Sequence, residues 1–253
     1  FPASGPVRTK ILGKLTPEKY EQSQRVEKEL NYMLTEEMTE YRDETEQMLF
    51  KLPIAGSAFK KVYYDPIMER PCAMFVPAED FVASYGATDM MACPRYTHVM
   101  KKTPNEILEL QVNGFYRDVE LPSAEPDYSD IQEKYDELDG ESTVMSDDDR
   151  HTILEMHVNL NMPEDFDDPD GIARPYVITI DKSSRTILSI RANWEEDDNK
   201  KKKIQHFTHY RYLPGLGFYG TGLIHLIGGL AKSATSILRQ LIDAGTLSNL
   251  PAG

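Results

Sequence analysis

Four β-prone runs follow one another in the second half of the chain: "HTILEMHVNL", "RPYVITID", "TILSIRAN" and "IQHFTHYRYL". Turn-like segments connect them, and no helical pattern intervenes. A parallel sheet needs a crossover between neighbouring strands, usually a helix, so this order predicts an antiparallel sheet and an α+β class. No internal repeat is visible.

Other segments fill in the outline. Residues 16–49 favour one long helix, with Thr16 as cap and Pro17 in the first turn. Leu30, Met33, Leu34, Met38, Tyr41, Met48 and Leu49 follow helical spacing and predict an apolar stripe packed on the domain. "FKKVYYDPIMERPCAMFVP" reads as two strands about a turn at Asp65-Pro66, and "RYTHVMKK" as another strand. "TPNEILELQVNG" reads as a short helix capped by Thr103, with Pro104 at its first position and Gly114 past its end. Residues 118–149 are acidic, with a helical patch at "SDIQEKYDEL" and a polar stretch, "DGESTVMSDDDR", that predicts a flexible loop.

The 253 residues suffice for one large domain or two small ones, and a formal net charge of −14 disfavours nucleic-acid binding outside a segregated basic face. Cys72 and Cys93 lack metal-ligand spacing and read as two reduced thiols. "EDFDDPDGIAR" fails the calcium-loop register, because Pro169 takes a ligand position and Tyr176 stands where a bidentate Glu belongs. His206 and His209 of "HFTH" fall on opposite faces of a strand, without a zinc partner. "EEDDNKKKK" reads as a solvated loop, and no Gly-x-Ser-x-Gly, His-Glu-x-x-His or P-loop is present. These residues predict no catalysis, no metal and no cofactor.

The exception to weigh is "LPGLGFYGTGLIHLIGGLAKSATSILRQLIDAG", which holds G-x-G-x-x-G at Gly215, Gly217 and Gly220. A dinucleotide loop opens a parallel β-α-β unit and places an acid at the end of the second strand. Asp243 has nearly the right offset but lies within helical periodicity. Phe218 and Tyr219 put bulk where a backbone should approach phosphate. The nucleotide-binding enzyme is therefore the alternative reading, and strand direction before Gly215 decides it. The helix that follows, about residues 222–244, is amphipathic and about 35 Å long at 1.5 Å per residue. His225, Gly228, Gly229, Lys232, Ser236, Arg239 and Asp243 form its polar stripe. Leu223, Leu226, Ile227, Leu230, Ala234, Ile237 and Leu241 form the opposite side. Lys232 and Arg239 argue against a membrane span, and Gly228-Gly229 suggests close approach by a neighbouring helix or chain.

With these residues in view, the chain resembles the portal proteins of short-tailed double-stranded DNA phages. The resemblance is collinear along the whole sequence. It is carried by "HYRYLPGLGFYGTGLIHLIGGLAKSATSILRQLIDAGTLSNLPAG", "AGSAFKKVYYDPIMERPCAMFVPAEDFVASYGATDM", "GFYRDVEL" and "ILSIRANWEEDDNKKKKIQHFTHYRYLPG". It implies a structural subunit of a ring, usually a dodecamer, at one capsid vertex of the virion, assembled in the host cytoplasm. Double-stranded DNA would pass through its channel in packaging and ejection, and terminase, capsid or scaffold and head-tail adaptor proteins would attach to it. It further implies a wing over 1–212, then the wing-to-stem turn at Gly215, Gly217 and Gly220 and a first stem helix within 213–253. His225, Lys232, Ser236, Arg239 and Asp243 would face the channel or the next subunit. No membrane partner is implied, and the ATPase would belong to terminase. The family's clip, second stem helix and crown have no counterpart in the sequence. With Phe1 at the start and "LSNLPAG" at the end, the expectation is a piece of a longer polypeptide.

Overall fold

A computed structural model describes residues 5–124, 149–162 and 171–248. The class is α+β, and every strand pairing is antiparallel. The expected acidic helix and loop within 125–148, and most of "EDFDDPDGIAR", lie outside the described residues.

The long N-terminal helix is not continuous. α1 (Pro17–Tyr32) starts on the Thr16 cap as expected. It runs into one π-helical turn, Met33–Glu37, and the chain bends at Met38, whose N–H donates to the Met33 carbonyl five residues back. Met38 leaves helical geometry at φ −91°, ψ 74° and is buried. α2 (Tyr41–Ala55) then runs in a new direction and ends on Gly56, which takes the left-handed conformation at φ 86°. The expected apolar stripe also splits. α1 buries no residue among those described, whereas α2 buries Met48 against Ala58 and Phe75.

β1 (Ser57–Asp65) and β2 (Arg70–Pro77) form the expected hairpin. The Asp65 carboxylate accepts from the N–H groups of Ile67 and Met68, which fixes the turn locally. β2 is an edge strand, and α2 covers it chemically. Glu40 and Glu44 accept from the Ala73 and Phe75 amides that would otherwise lie open. Glu40 also pairs with Arg70 at 2.9 Å.

A five-stranded sheet has the order β3 (Phe81–Ala83), β4 (Arg95–Lys102), β5 (His151–Leu160), β6 (Arg174–Asp181), β7 (Ile187–Ala192). Its consecutive antiparallel order is what the β-prone runs imply. α3 (Pro104–Val112) packs Ile107 on this sheet beside Ile153 and Leu188, and its Thr103–Glu106 capping box satisfies the first turn.

The fourth run departs from expectation. β8 (Phe207–Arg211) does not extend the five-stranded sheet; it crosses to pair with β1, giving a second sheet of order β2-β1-β8. The intervening segment is long enough to make the crossing. It is pinned at both ends, where Ile204 and Asn193 exchange hydrogen bonds and the His206 carbonyl accepts from Val62 N–H. β8 thus brings residues 207–211, and the glycine turn after them, onto β1.

The core fills the space between the sheets. Phe59 of β1 stacks on Phe81 at 3.9 Å between centroids, and Tyr96, Phe207, Phe218, Val76, Met90 and Cys93 complete the cluster. Cys72 and Cys93 are both buried free thiols. α4 (Leu223–Ser248) projects from this body.

Candidate functional site

The glycine turn and the start of α4 form one tightly interlocked junction. Leu213 and Thr221 bridge across the base of the turn, with Thr221 N–H donating to the Leu213 carbonyl. Phe218, at the tip side, is buried between the sheets and stacks near Phe59 and Phe81. The Tyr219 hydroxyl donates to the Phe81 carbonyl at 2.7 Å. The two bulky residues that argue against a phosphate loop therefore serve as plugs into the core.

Close backbone approach accounts for three glycines. A Cβ on Gly220 would strike the carbonyl oxygens of Gly56 and Leu213. One on Gly222 would strike the Ile54 carbonyl and the Gly56 nitrogen, and one on Gly215 the Tyr219 carbonyl. Gly217 has nothing within 4 Å of such an atom. Of the three expected turn glycines, the structure brings Gly215 and Gly220 into the interlock and leaves Gly217 free.

The same contacts dispose of the dinucleotide reading at its deciding point. The strand before Gly215 is β8, which is antiparallel to β1, so no parallel β-α-β unit opens here. The Gly220 N–H, which a phosphate would need, donates to the Ser57 hydroxyl at 2.7 Å in a buried position. Asp243 lies within α4.

Sequence reasoning missed the other half of the junction. Gly56, Ser57 and Gly222 hold the turn. Beside them, His209 is more than an ordinary strand histidine, because its Nε2 lies 3.0 Å from Ser57 Oγ. Its ring stacks against both Phe59 (4.4 Å) and Phe218 (4.8 Å), which are themselves 6.0 Å apart. Burial, followed by the charge of Arg211, pushes its pKa down to about 4. A small residue after a helix-ending glycine, at "AGS" (55–57), was the available signal. Nothing local points to a partner more than 150 residues away.

α4 begins with its own reciprocal contact. Gly222 N–H donates to His225 Nδ1, while His225 N–H donates to the Gly222 carbonyl. His225 thus closes the helix start. Lys232, Ser236, Arg239 and Asp243 lie further along α4, and all are exposed. Among the described residues, neither Lys232 nor Arg239 takes part in an ion pair. The opposite face is equally bare, with Leu230 74% and Leu241 65% exposed, joined by Leu226, Ile227, Ile237 and Ile242. α4 touches the body chiefly near its start, against α2. No helix among the described residues is long and apolar enough to cross a membrane. No group of three or more metal-ligating side chains gathers among them either.

The antiparallel α+β body thus carries an amphipathic helix whose apolar face is exposed. The match to known families is specific: residues 6–252 fit the family described as "Phage SU10 portal protein", and the chain belongs to that family of structural proteins. No curated protein matches it.

Proposed function

We propose that this chain is the wing and first stem helix of a portal subunit that assembles into a closed homo-oligomeric ring at a capsid vertex. Double-stranded DNA passes through the ring's channel during packaging and ejection, and terminase, the capsid or scaffold and a head-tail adaptor attach to it. Residues 1–212 make the wing, and 213–253 make the turn and the stem helix.

The observation that carries this reading is the bare apolar face of α4. Each fully buried Leu or Ile contributes about 1.5–3 kcal/mol, so a row of such residues left in water favours association strongly. A head-to-tail contact that repeats with the right rotation closes into a ring. The interlocked junction supports the same reading, because it fixes the direction in which α4 leaves the body. The polar stripe, with Lys232 and Arg239 unpaired among the described residues, then faces the channel.

Negative-stain microscopy of the complete polypeptide carrying this chain tests the proposal. Closed rings with a central opening are expected. Single particles of monomer size at micromolar concentration would overturn it.

A further inference from the structure

We propose that the Ser57 hydroxyl is a latch that holds the glycine turn and the start of α4 on β1, and that it opens when His209 takes a proton. The inference starts from the junction geometry and stands whether or not the ring reading does.

One oxygen serves two partners here. Gly220 N–H donates into Ser57 Oγ at 2.7 Å, so the hydroxyl hydrogen must find an acceptor elsewhere. His209 Nε2, at 3.0 Å, is that acceptor when the ring is neutral with its proton on Nδ1. Both bonds are then satisfied in a site where Ser57 is 2% exposed. Protonation turns Nε2 into a donor. Ser57 Oγ then faces two donors, its own hydrogen loses its acceptor, and a buried polar group is left unpaired.

The surroundings oppose the charge. Phe59 and Phe218 both stack against the ring, and Arg211 on the same strand adds a repelling positive charge. Tyr219 lies at 6.5 Å from the turn side, Ser57 faces the ring from β1, and no carboxylate among the described residues bonds to it. The cation is favoured only if the ring moves toward water. That movement draws out the Phe218 plug and frees the Gly220 amide.

The sign follows from the neutral form being the latched one. His209 is pushed down to about 4 in the latched state from an ordinary 6.5, so latching is fully favoured above about 6.5 and weakens as pH falls toward 4. Between pH 7.5 and 5 the ratio of closed to open junction drops by up to roughly thirtyfold.

Amide hydrogen exchange of the wild-type chain at pH 7.5 and 5, corrected for intrinsic rates, reads this directly. Protection of the Gly220 amide should fall by more than tenfold relative to that of Ile153 in the core of β5. His209→Gln keeps an acceptor for Ser57 but cannot titrate, and it should hold the ratio constant. If that variant does not fold, the imidazole resonances of the wild-type chain decide the matter. A His209 titration near 6.5, or a Gly220-to-Ile153 protection ratio that does not change with pH, would overturn the latch, as would an unaltered pH response in folded His209→Gln.

Discussion

Lys61 in β1 and Glu155 in β5 meet at 2.7 Å between Nζ and Oε2 and join the two sheets. Both side chains are largely buried. Glu155 also takes a contact from His157 Nε2 at 3.1 Å. Burial works against the Glu155 charge, but Lys61, followed by the His157 hydrogen bond, more than offsets it and holds the carboxyl far below the usual range. Removing one partner of such a pair strands a buried charge. Lys61→Met should cost about 3–5 kcal/mol in urea unfolding, and Lys61→Met with Glu155→Leu should recover most of it. A cost for the single variant under about 1 kcal/mol would show that water reaches the pair.

The glycine turn gives a sharper contrast within one motif. Gly220→Ala forces a Cβ onto two carbonyl oxygens and should destabilise by about 1–3 kcal/mol, as should Gly215→Ala. Gly217→Ala meets open space and should stay within about 0.5 kcal/mol of wild type. Thermal unfolding of the three variants checks the ranking. NAD or FAD binding that is lost on Gly217→Ala would instead revive the nucleotide reading.

The buried histidines set a direction with pH. His98 is pushed down to about 3 and His209 to about 4, in both cases first by burial, and burial also lowers His157 and His206. The folded chain keeps these rings neutral, whereas the unfolded chain takes up protons below about 6.5. Stability is therefore fully present above that pH and declines as pH falls toward 4. Loss of the Glu155 charge adds to the decline at still lower pH. Urea midpoints at pH 7.5, 6 and 4.5 should fall in that order, with a shallower fall in His98→Leu. Equal midpoints would contradict the neutral-histidine core.

Much of this architecture was legible in the sequence. The Asp65-Pro66 hairpin, the Thr103 capping box and the consecutive order of β5, β6 and β7 rest on local chemistry, so local reading finds them. The break at Met38 is different. Its i→i+5 hydrogen bond leaves the heptad-like spacing of Met33, Leu34, Met38 and Tyr41 intact while the axis turns. The sheet that β8 joins is not legible locally, because its pairing with β1 spans about 150 residues and strand pattern carries no partner identity. The buried polar patch was hidden by the alternation that found the strands. Tyr96 and His98 on β4 lie opposite His157 and Glu155 on β5, so the polar member of each alternation faces inward. A titratable group recurring at period two on both strands was the signal available. The helix that became α4 is legible from periodicity, but periodicity cannot assign either of its faces to a partner.

The two faces of α4 should separate assembly from DNA handling. Lys232→Ala with Arg239→Ala removes two exposed cations that have no ion-pair partner among the described residues, so rings should persist while DNA packaging or retention changes. If the stripe faces DNA, contacts to phosphate there would be weak and salt-screened over about 8 Å at physiological ionic strength. Loss of the ring in this double variant, with the fold intact by circular dichroism, would assign the stripe to the subunit interface instead.

Native mass spectrometry of the complete polypeptide, with and without Leu230→Asp and Leu241→Asp, tests the central claim most directly. Both leucines lie on the bare face of α4, far from the junction, so the variants should fold normally. The wild-type polypeptide should appear as one closed multimer and the double variant as monomer. A wild-type polypeptide that stays monomeric at high concentration, or a double variant that still forms the full multimer, would contradict the assignment of α4 as the stem helix that completes a ring.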